Sequence, residues 1–326
     1  MPRRTAIRTT LLALGLLLAG ASARAEPLRL GYESWVAPGP FFIAQEKGWF
    51  KEEGVSVELV NIEDVRIRAS ALATGEVDAV TANIDEAILH LATEGKMRFV
   101  FALAESSGGD GLIASNDIND IAGLKGKTVA VQPGTSRQFY LNALLREAGL
   151  NESDVTTAAL APGEAGLAFE RAEVDAAVTW APWLARSDKM PHGQVLTDTS
   201  KQPGLLVEML VAQNGVLEER REEFQALYRA WLRAIAWARK NPNDSAELIA
   251  TGIGRWLRDE EVVKEMRTGI AYYDAAMNSA FFGAGPDSGP LAHTAASAID
   301  IWSGFGKLQT SAGAESLISR AVVSAN

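Results

Sequence analysis

One segment occurs twice in this chain and limits the possible folds more than any other feature. Residues 75–86 read GEVDAVTANIDE, and residues 173–183 read EVDAAVTWAPW. Each copy follows a helix-like stretch, and its apolar run is long enough for a buried strand. Because ligands of open α/β sheets bind beyond the carboxyl ends of strands, the two copies predict two similar α/β lobes with a cleft between them.

The residues at the ends of the two repeated strands differ in chemistry. Asn83 and Asp85 follow the first strand, and Trp180 and Trp183 follow the second. We expect the two pairs to face each other across the cleft. Two alternatives stay open: the tryptophans pack in a core, as buried indoles often do, and Asp85 only caps the helix that it begins.

Strand and helix patterns alternate along most of the chain, which predicts mainly parallel sheets flanked by helices. The strands predicted before the first crossing between lobes are 28–32, 55–59, 77–80 and 99–104, and the helices are 41–47, 66–74 and 85–93. The flexible stretch 106–111 is the expected crossing. The strands predicted after it are 112–115, 127–131, 155–160 and 174–178, and the helices are 136–148 and 165–171.

Two later segments complete the predicted order of elements. The apolar segment 205–212 is suited to carry the chain back to the first lobe. The longest predicted helix is 218–240, where apolar residues at spacings of three or four form a core stripe of Phe224, Leu227, Trp231, Ile235 and Ala238.

The first 25 residues have the pattern of an export signal. Three arginines precede an apolar run at 11–19, and residues 23–25 (ARA) have the small-x-small pattern that signal peptidase cuts. The run is shorter than the ~20 residues that a membrane-spanning helix needs. We therefore expect cleavage and secretion, and an uncleaved anchor is the alternative.

Charge, cysteine and histidine content exclude several classes of function. Without the four arginines of the signal, the chain has 27 basic and 41 acidic residues, a net charge of −14 that argues against nucleic acid as a partner. The chain has no cysteine, so it has neither a thiol nucleophile nor a thiolate metal site. Its histidines share no ligand spacing and no catalytic motif occurs, so we expect no metal, no cofactor and no enzymatic activity.

The loop before helix 136–148 is a candidate anion site. Thr135 or Ser136 is the predicted N-cap, and the free amide groups of the first helical turn can hold an anionic group. A capped helix without a ligand is the alternative. The loop lacks the glycine patterns of nucleotide-binding loops, so nucleotides are not expected.

Acidic residues at predicted strand ends and in loops indicate a different ligand charge. They are Glu33, Asp64, Asp85, Asp110 and Glu208. Any one of them is more often a cap or a solvated charge than a ligand contact. Several converging on one cleft suit an ammonium or guanidinium group, to which tryptophan faces add cation–π attraction.

Several stretches of the chain occur in an order that is specific as a set. They are LRLGY, FFIAQEKGWFKEEGVSVEL, ALATGEVDAV, LKGKTVAVQPGTS and VDAAVTWAPW, which lie between about residues 28 and 240. The set resembles the periplasmic solute-binding proteins of ABC importers, most closely the nitrate, sulfonate, taurine and pyrimidine-precursor branch. The resemblance implies a two-lobed, hinge-closing fold, with residues 26–110 and 208–326 in one lobe and 111–207 in the other.

The resemblance also implies where a solute binds. Carried over position by position, and with the acidic turn near the crossing added, the expected site consists of Trp35, Asn83, Asp85, Asp110, Thr135, Ser136, Trp180 and Glu208. The acidity added by Asp110 departs from what a simple anion binder needs. We therefore expect a cationic or zwitterionic nitrogen compound, such as an amino-sulfonate, an amine or a guanidine derivative. A periplasmic monomer would deliver it to the permease and ATPase of an importer.

Two alternatives on the same fold are a pyrimidine-precursor synthase or desulfinase and a periplasmic sensor. The synthase resembles this fold but uses a cysteine-rich motif and an active-site histidine, and the desulfinase needs a cysteine nucleophile. The chain has no cysteine, and no histidine lies near Trp35 or Trp180 in the sequence. Both enzymes are therefore disfavoured. A sensor would use the same cleft, and the sequence does not distinguish it from an importer component.

Overall fold

The computed structural model describes residues 26–92, 96–180, 183–187, 189–258, 263, 267–285 and 289–325. The predicted export signal lies outside the described residues. Two β-sheets flanked by helices form two lobes, which we call lobe 1 (the sheet that contains the N-terminal strand) and lobe 2. No helix of the described residues is long and apolar enough to cross a membrane.

The sheet of lobe 1 has six described strands. They are β1 (Leu28–Tyr32), β2 (Val57–Asn61), β3 (Ala79–Asn83), β4 (Met97–Ser106), β10 (Val207–Gln213) and β11 (Ile270–Tyr272). Their spatial order is β11-β4-β10-β3-β1-β2. β1 pairs in parallel with β2 and β3, whereas β10 runs antiparallel between β3 and β4, and β11 is antiparallel to β4.

The sheet of lobe 2 has five described strands. They are β5 (Asp110–Ser115), β6 (Thr128–Val131), β7 (Thr156–Ala159), β8 (Ala176–Trp180) and β9 (Gly193–Asp198), in the spatial order β7-β6-β8-β5-β9. β6 pairs in parallel with β7 and β8, whereas β5 is antiparallel to β8 and β9. The chain enters this lobe after β4 and leaves it before β10. The exact lobe boundaries of 26–110, 111–207 and 208–326 stay a prediction.

Helices cover both sheets. The described α-helices are α1 (Gly39–Glu46), α2 (Trp49–Glu53), α3 (Val65–Thr74), α4 (Ile84–Leu91), α5 (Ser136–Glu147), α6 (Pro162–Glu170), α7 (Trp183–Ser187), α8 (Asn214–Glu219), α9 (Arg221–Lys240), α10 (Pro242–Ile253), α11 (Ala275–Phe282) and α12 (Pro290–Gly304). Local sequence sets their ends. Asp64 accepts hydrogen bonds from the backbone N–H groups of Arg66 and Ile67 at the start of α3, so this carboxylate is a helix cap.

The aspartates of the two repeated segments make the same contacts. In lobe 1, the Asp78 carboxylate accepts the backbone N–H of Arg29 at 2.8 Å, and in lobe 2 the Asp175 carboxylate accepts that of Thr128 at 2.7 Å. The backbone N–H of each aspartate is bonded to the carbonyl oxygen of the same partner. Each repeated strand therefore begins after an aspartate that ties it to a neighbouring parallel strand, β1 or β6.

The predicted helix 218–240 is two helices that meet at Arg220. The Arg220 guanidinium binds Glu223 at 2.7 Å and Asp78 of the sheet at 3.2 Å, which holds this residue in a non-helical conformation. Downstream, the apolar stripe of α9 packs as predicted, and Trp231 is fully buried against Phe41 with the ring centroids 4.8 Å apart. Of the predicted stripe, only Ala238 is half-buried rather than buried.

Candidate functional site

The last residue of each repeated strand pairs with a residue that has a buried carboxylate. That residue lies on the first strand that follows a crossing of the chain between the lobes. In lobe 1, Asn83 at the end of β3 pairs with Glu208 of β10. In lobe 2, Trp180 at the end of β8 pairs with Asp110 of β5. Glu208 is 2% exposed and Asp110 4% exposed. Each repeated strand thus has one buried carboxylate beside its end. Both carboxylates lie next to the segments that cross between the lobes.

Two tryptophans from different lobes meet above these carboxylates. The ring centroids of Trp35, which follows β1, and Trp180 are 4.8 Å apart. Trp183 does not join them, because its indole lies against Gly166 of α6 within lobe 2. Trp180 therefore contacts the other lobe, but its partner there is Trp35 rather than Asn83 or Asp85, whereas Trp183 takes the alternative role of packing.

A basic residue that the sequence analysis missed, Arg137, lies beside the two contacting indoles. The Cζ atom of Arg137 is 5.8 Å from the Trp35 ring centroid and 5.9 Å from that of Trp180. Its Nε atom is 3.4 Å from Oδ1 of Asp110. Arg137 is the second residue of α5, where the helix dipole disfavours a cation. That unfavourable placement is the signal in the sequence by which it could have been found.

The predicted anion site at the start of α5 holds a carboxylate of the chain itself. Oε1 of Glu86, from α4 in lobe 1, accepts hydrogen bonds from the backbone N–H of Ser136 at 3.0 Å and from its hydroxyl at 2.9 Å. The Thr135 hydroxyl instead donates to the carbonyl of Gln132 at 2.9 Å. Close by, Nε2 of His90 in lobe 1 donates to the carbonyl of Gly134 at 2.8 Å. These bonds join the two lobes directly.

A second arginine, Arg68 of α3, is fully buried behind the cleft. Its guanidinium donates to the carbonyl oxygens of Thr81 and Ile62 at 2.9 and 2.8 Å. Its Nη2 atom is 3.3 Å from the Glu33 carboxylate and 3.9 Å from that of Glu86. Arg68 thus supplies the positive charge for two of the carboxylates, and the backbone carbonyls fix its position.

The site contains more carboxyl groups than guanidinium groups. Around Arg68 and Arg137 lie Glu33, Asp85, Glu86, Asp110 and Glu208. In the part of the chain that is described, neither carboxylate oxygen of Glu208 or of Asp85 accepts a hydrogen bond of good geometry, although the Thr81 hydroxyl is near enough to Glu208 to lower its pKa. A buried carboxylate without partners is costly in its charged form.

The pKa values of three of these carboxyl groups follow from this imbalance. Burial raises the pKa of Glu208 to about 8, and the neighbouring charge of Glu33 adds to the rise. Burial also raises the pKa of Asp85 well above its usual range, with Glu86 as the next cause. The pKa of Glu33 is raised by burial, against the opposing effect of Arg68. A cation placed among these groups would favour their charged forms.

Asp85 is not the N-cap of α4. Asn83 occupies that position, and Asp85 lies in the first helical turn. The carbonyl oxygen of Asp85 accepts the indole N–H of Trp302 at 3.1 Å, which ties this turn to α12. The alternative reading of Asp85 as only a cap is therefore wrong, although its carboxylate does not line the cavity described next.

A small closed cavity lies at the centre of these groups. Five of the eight predicted site residues line it: Trp35, Asn83, Asp110, Ser136 and Glu208. Arg137, which was not predicted, lines it as well. Its volume is about 10 Å³, roughly the space that one water molecule needs. A second cavity of about 690 Å³ shares Arg137 with the first and includes Thr135 and Glu86 in its lining. Trp180 does not line the first cavity but lies against Trp35 and Arg137, which do.

The described residues show no arrangement of three or more His, Asp or Glu side chains that could hold a metal ion. The site consists of buried carboxylates, two guanidinium groups, two indoles and one helix start. Such a set can bind and orient a small charged molecule. Its contacts come from both lobes, so the molecule would be enclosed when the lobes meet.

The two-lobed fold matches that of a known binding protein. The periplasmic aliphatic sulphonate binding protein SsuA from Escherichia coli superposes with a TM-score of 0.72 at 19% sequence identity, over 91% of this chain and 99% of that one. At this identity the match shows the fold alone. It confirms the predicted class, a two-lobed periplasmic binding protein fold.

Sequence relatives agree with the branch that the motifs indicate. The protein named "Putative aliphatic sulfonates-binding protein" from Bacillus subtilis (strain 168) is 27% identical over 255 residues, 74% of this chain and 76% of that protein. The taurine-binding periplasmic protein of Escherichia coli (strain K12) is 29% identical over 197 residues, 60% and 59% of the two chains. The model of the NMT1-like family matches residues 21–253, well over half of the sequence. The chain belongs to the NMT1-like family.

Proposed function

We propose that this protein is the solute-binding component of an ABC import system and that its solute carries a positively charged nitrogen. The relatives are named for binding aliphatic sulfonates and taurine, which supports a binding role rather than catalysis. One observation supports a positive charge on the solute. Glu208 is a buried carboxylate without a hydrogen-bond partner in the described chain, and it lines the cavity between the lobes.

The rest of the site supports the same charge. The guanidinium of Arg137 already lies beside both indoles, Trp35 and Trp180, which supports their suitability for a cationic group. An ammonium or guanidinium group bound beside Glu208 would satisfy the carboxylate oxygens. Hydrogen bonds to charged groups contribute about 1.5–3 kcal/mol each, and the indole faces add cation–π attraction.

A zwitterion such as an amino-sulfonate is the other form of solute that the site supports. Its ammonium group would bind Glu208, and its sulfonate would lie near Arg137. Both halves of such a molecule would find opposite charges within the cleft. The choice between a cation and a zwitterion depends on whether the start of α5 is free to hold the sulfonate.

Capture requires movement of the lobes. The cavity of about 10 Å³ is too small for an amine or a guanidine, so the solute enters when the lobes are apart, and the solute-bound lobes must leave more space between them than this structure does. Contacts to both lobes then favour the closed form, because they exist only in that form. In the periplasm, the closed protein would dock as a monomer on the permease and deliver the solute to it.

Calorimetric titration of the protein from Glu26, stripped of bound solute by unfolding and refolding, tests this proposal. The panel consists of taurine, ethanesulfonate, ethylamine and guanidine; taurine and ethanesulfonate differ by one ammonium group. We expect binding of at least one nitrogen-containing member and a loss of at least about tenfold in affinity in Glu208→Gln. Glu58→Gln, on the exposed face of β2, is the matched control and keeps the affinity. Tighter binding of ethanesulfonate than of every nitrogen compound contradicts the proposal.

A further inference from the structure

The start of α5 is suited to hold an anion, and it is shielded from solvent. α5 is 12 residues long, and its first residue, Ser136, is 1% exposed. The backbone N–H and hydroxyl of Ser136 both point towards lobe 1. A free anion bound here would gain two hydrogen bonds and the favourable end of a helix dipole.

Glu86 occupies this position from the other lobe. Its Oε1 atom accepts both hydrogen bonds of Ser136, and the side chain is 2% exposed. Its Oε2 atom is 3.9 Å from Nη2 of Arg68, whose position is fixed by the carbonyl oxygens of Thr81 and Ile62. The carboxylate is therefore held between a rigid guanidinium in lobe 1 and the helix start of lobe 2.

An external anion meets an unfavourable field at this place. It would have to displace Glu86 from Ser136 while the displaced carboxylate stays nearby. Glu33 and Asp110 add further negative charge, and each already faces one of the two guanidinium groups. Glu208 adds a buried carboxylate whose oxygens have no hydrogen-bond partner in the described chain. Arg137 is the guanidinium group that lines the cavity, and an anionic solute that approached it would have to share it with Asp110.

We propose that Glu86 is an internal anion that fills the anion position of the cleft and thereby restricts the solutes to cations without a sulfonate, nitrate or carboxylate group. The inference rests on the proposed function and narrows its solute class to monocationic amines and guanidines. Glu86 is in this view a specificity-determining residue. It bridges the closed lobes in the place where an anionic solute would otherwise bridge them.

Removal of the Glu86 side chain tests the proposal. In Glu86→Ala, the Ser136 groups and Arg68 become available, and we expect ethanesulfonate to bind at least about tenfold more tightly than to the wild type. Sulfate is the second probe and is expected to behave in the same way. Glu33→Ala is the matched control, because Glu33 also faces Arg68 from lobe 1 but makes no bond to Ser136. It is expected to gain no such binding.

The closure of the lobes provides a readout that does not depend on the natural solute. The chain has no cysteine, so Glu58→Cys in lobe 1 and Glu170→Cys in lobe 2 allow a dye pair to report the distance between the lobes. We expect sulfate to shorten that distance in Glu86→Ala and to leave it unchanged in the wild type. This result supports Glu86 as the internal anion even when no cation of the panel binds, which separates it from a failure of the proposed function.

Two outcomes overturn the inference. One is binding of ethanesulfonate or taurine to the wild type as tightly as to Glu86→Ala; the other is an unchanged distance with sulfate in both proteins. Glu86→Gln serves if circular dichroism shows that the alanine variant is unfolded. Its loss of charge without loss of volume is expected to strengthen ethanesulfonate binding at least about threefold. An unchanged affinity in the folded glutamine variant also overturns the inference.

Discussion

At the scale of the residue, Glu208 connects pH with the stability of the closed protein. Its pKa is about 8 in the fold, whereas a glutamate in an unfolded chain has a pKa of about 4.3. Between these values the folded protein holds a proton that the unfolded chain has released. The free energy of unfolding therefore falls as pH rises through this window, and the stability is fully present only below it.

The resulting prediction concerns thermal unfolding without solute. The Tm of the wild type is expected to fall between about pH 5.5 and about pH 8.5. Glu208→Gln is expected to make that fall smaller because it cannot ionise, while Asp85 and Glu33, whose pKa values are also raised, keep part of it. Differential scanning calorimetry at several pH values measures both. Glu58→Gln retains the full fall if the effect belongs to Glu208. Equal pH profiles of wild type and Glu208→Gln would contradict the assignment.

The two indoles lead to a second prediction at this scale. Trp180→Leu keeps an apolar side chain but removes the aromatic face beside Arg137 and Trp35. Desolvated cation–π contacts contribute about 2 kcal/mol, so the affinity for a cationic solute is expected to fall at least about tenfold. Titration calorimetry checks the change. Trp237→Leu, on the far side of lobe 1 against Trp49, is the control and should bind as the wild type does.

The site residues show how far sequence reasoning reaches. The rule that the carboxyl ends of strands gather at one edge of a sheet accounts for Asn83 at the cavity. Asp110 and Glu208 reach it from the starts of β5 and β10, which run antiparallel to β8 and β3. The same rule is silent on side chains that come from helices. Arg68 and Glu86 were missed for that reason, since their roles depend on how α3 and α4 face the opposite lobe. Whether the predicted residues bind a solute stays a prediction.

At the scale of the element, the repeated aspartates explain why the same four-letter pattern, EVDA, occurs at residues 76–79 and 173–176. The Asp78 side chain accepts the N–H of Arg29 and also faces the guanidinium groups of Arg29 and Arg220. Asp175 makes the equivalent backbone bond in lobe 2 but is more exposed. Each aspartate therefore ties the start of its strand to the neighbouring parallel strand by hydrogen bonds. The repeated pattern is structural rather than a ligand-binding motif.

The different exposure of the two aspartates leads to a third prediction. Asp78→Ala is expected to lower the free energy of unfolding by about 2–3 kcal/mol, because it leaves charged donors without their acceptor. Asp175→Ala is expected to cost less, about 1 kcal/mol, since water can replace part of its contacts. Urea denaturation followed by tryptophan fluorescence compares the two with Asp244→Ala, an exposed control. A larger loss for Asp175 than for Asp78 would contradict the explanation.

Several elements differ from what local patterns predict, each for a physical reason. β9 and β11 were not predicted, because most of their residues are half-buried and lack a clear alternation. The single predicted helix 218–240 breaks at Arg220, whose partner Asp78 lies about 140 residues earlier in the chain. Both misses arise from contacts that are distant in sequence. Elements with strong local signals, such as β1, α3 and α5, differ from their predicted ends by one residue at most.

At the scale of the whole molecule, the lobes are held together by contacts of unequal strength. Phe139 of α5 and Trp302 of α12 are buried together with ring centroids 5.8 Å apart. The ion pair of Arg146 with Asp300 also joins the lobes at 2.7 Å, but its side chains are 45% and 77% exposed. Exposed ion pairs contribute about 0–1 kcal/mol, so the buried aromatic pair dominates.

The fourth prediction follows for lobe closure. Phe139→Ala is expected to shift the solute-free protein towards an open form, which increases the radius of gyration in X-ray scattering. Arg146→Ala is expected to leave the radius unchanged, because water screens the pair that it removes. A saturating cationic solute should return Phe139→Ala towards the wild-type radius. Equal radii for both variants would show that the aromatic pair does not hold the lobes.

The inter-lobe contacts at the start of α5 come from three residues within a stretch of four: Gly134 and Ser136 through hydrogen bonds, and Arg137 through its position beside Trp35. Because one short stretch of backbone carries them, they form and break together when lobe 2 rotates. The buried Phe139, further along α5, separates from Trp302 in the same movement, so opening of the cleft is one step rather than a series of small ones. Release of the solute would follow a single exponential. A permease that moves the start of α5 would shorten the residence time of the solute without having to compete for it.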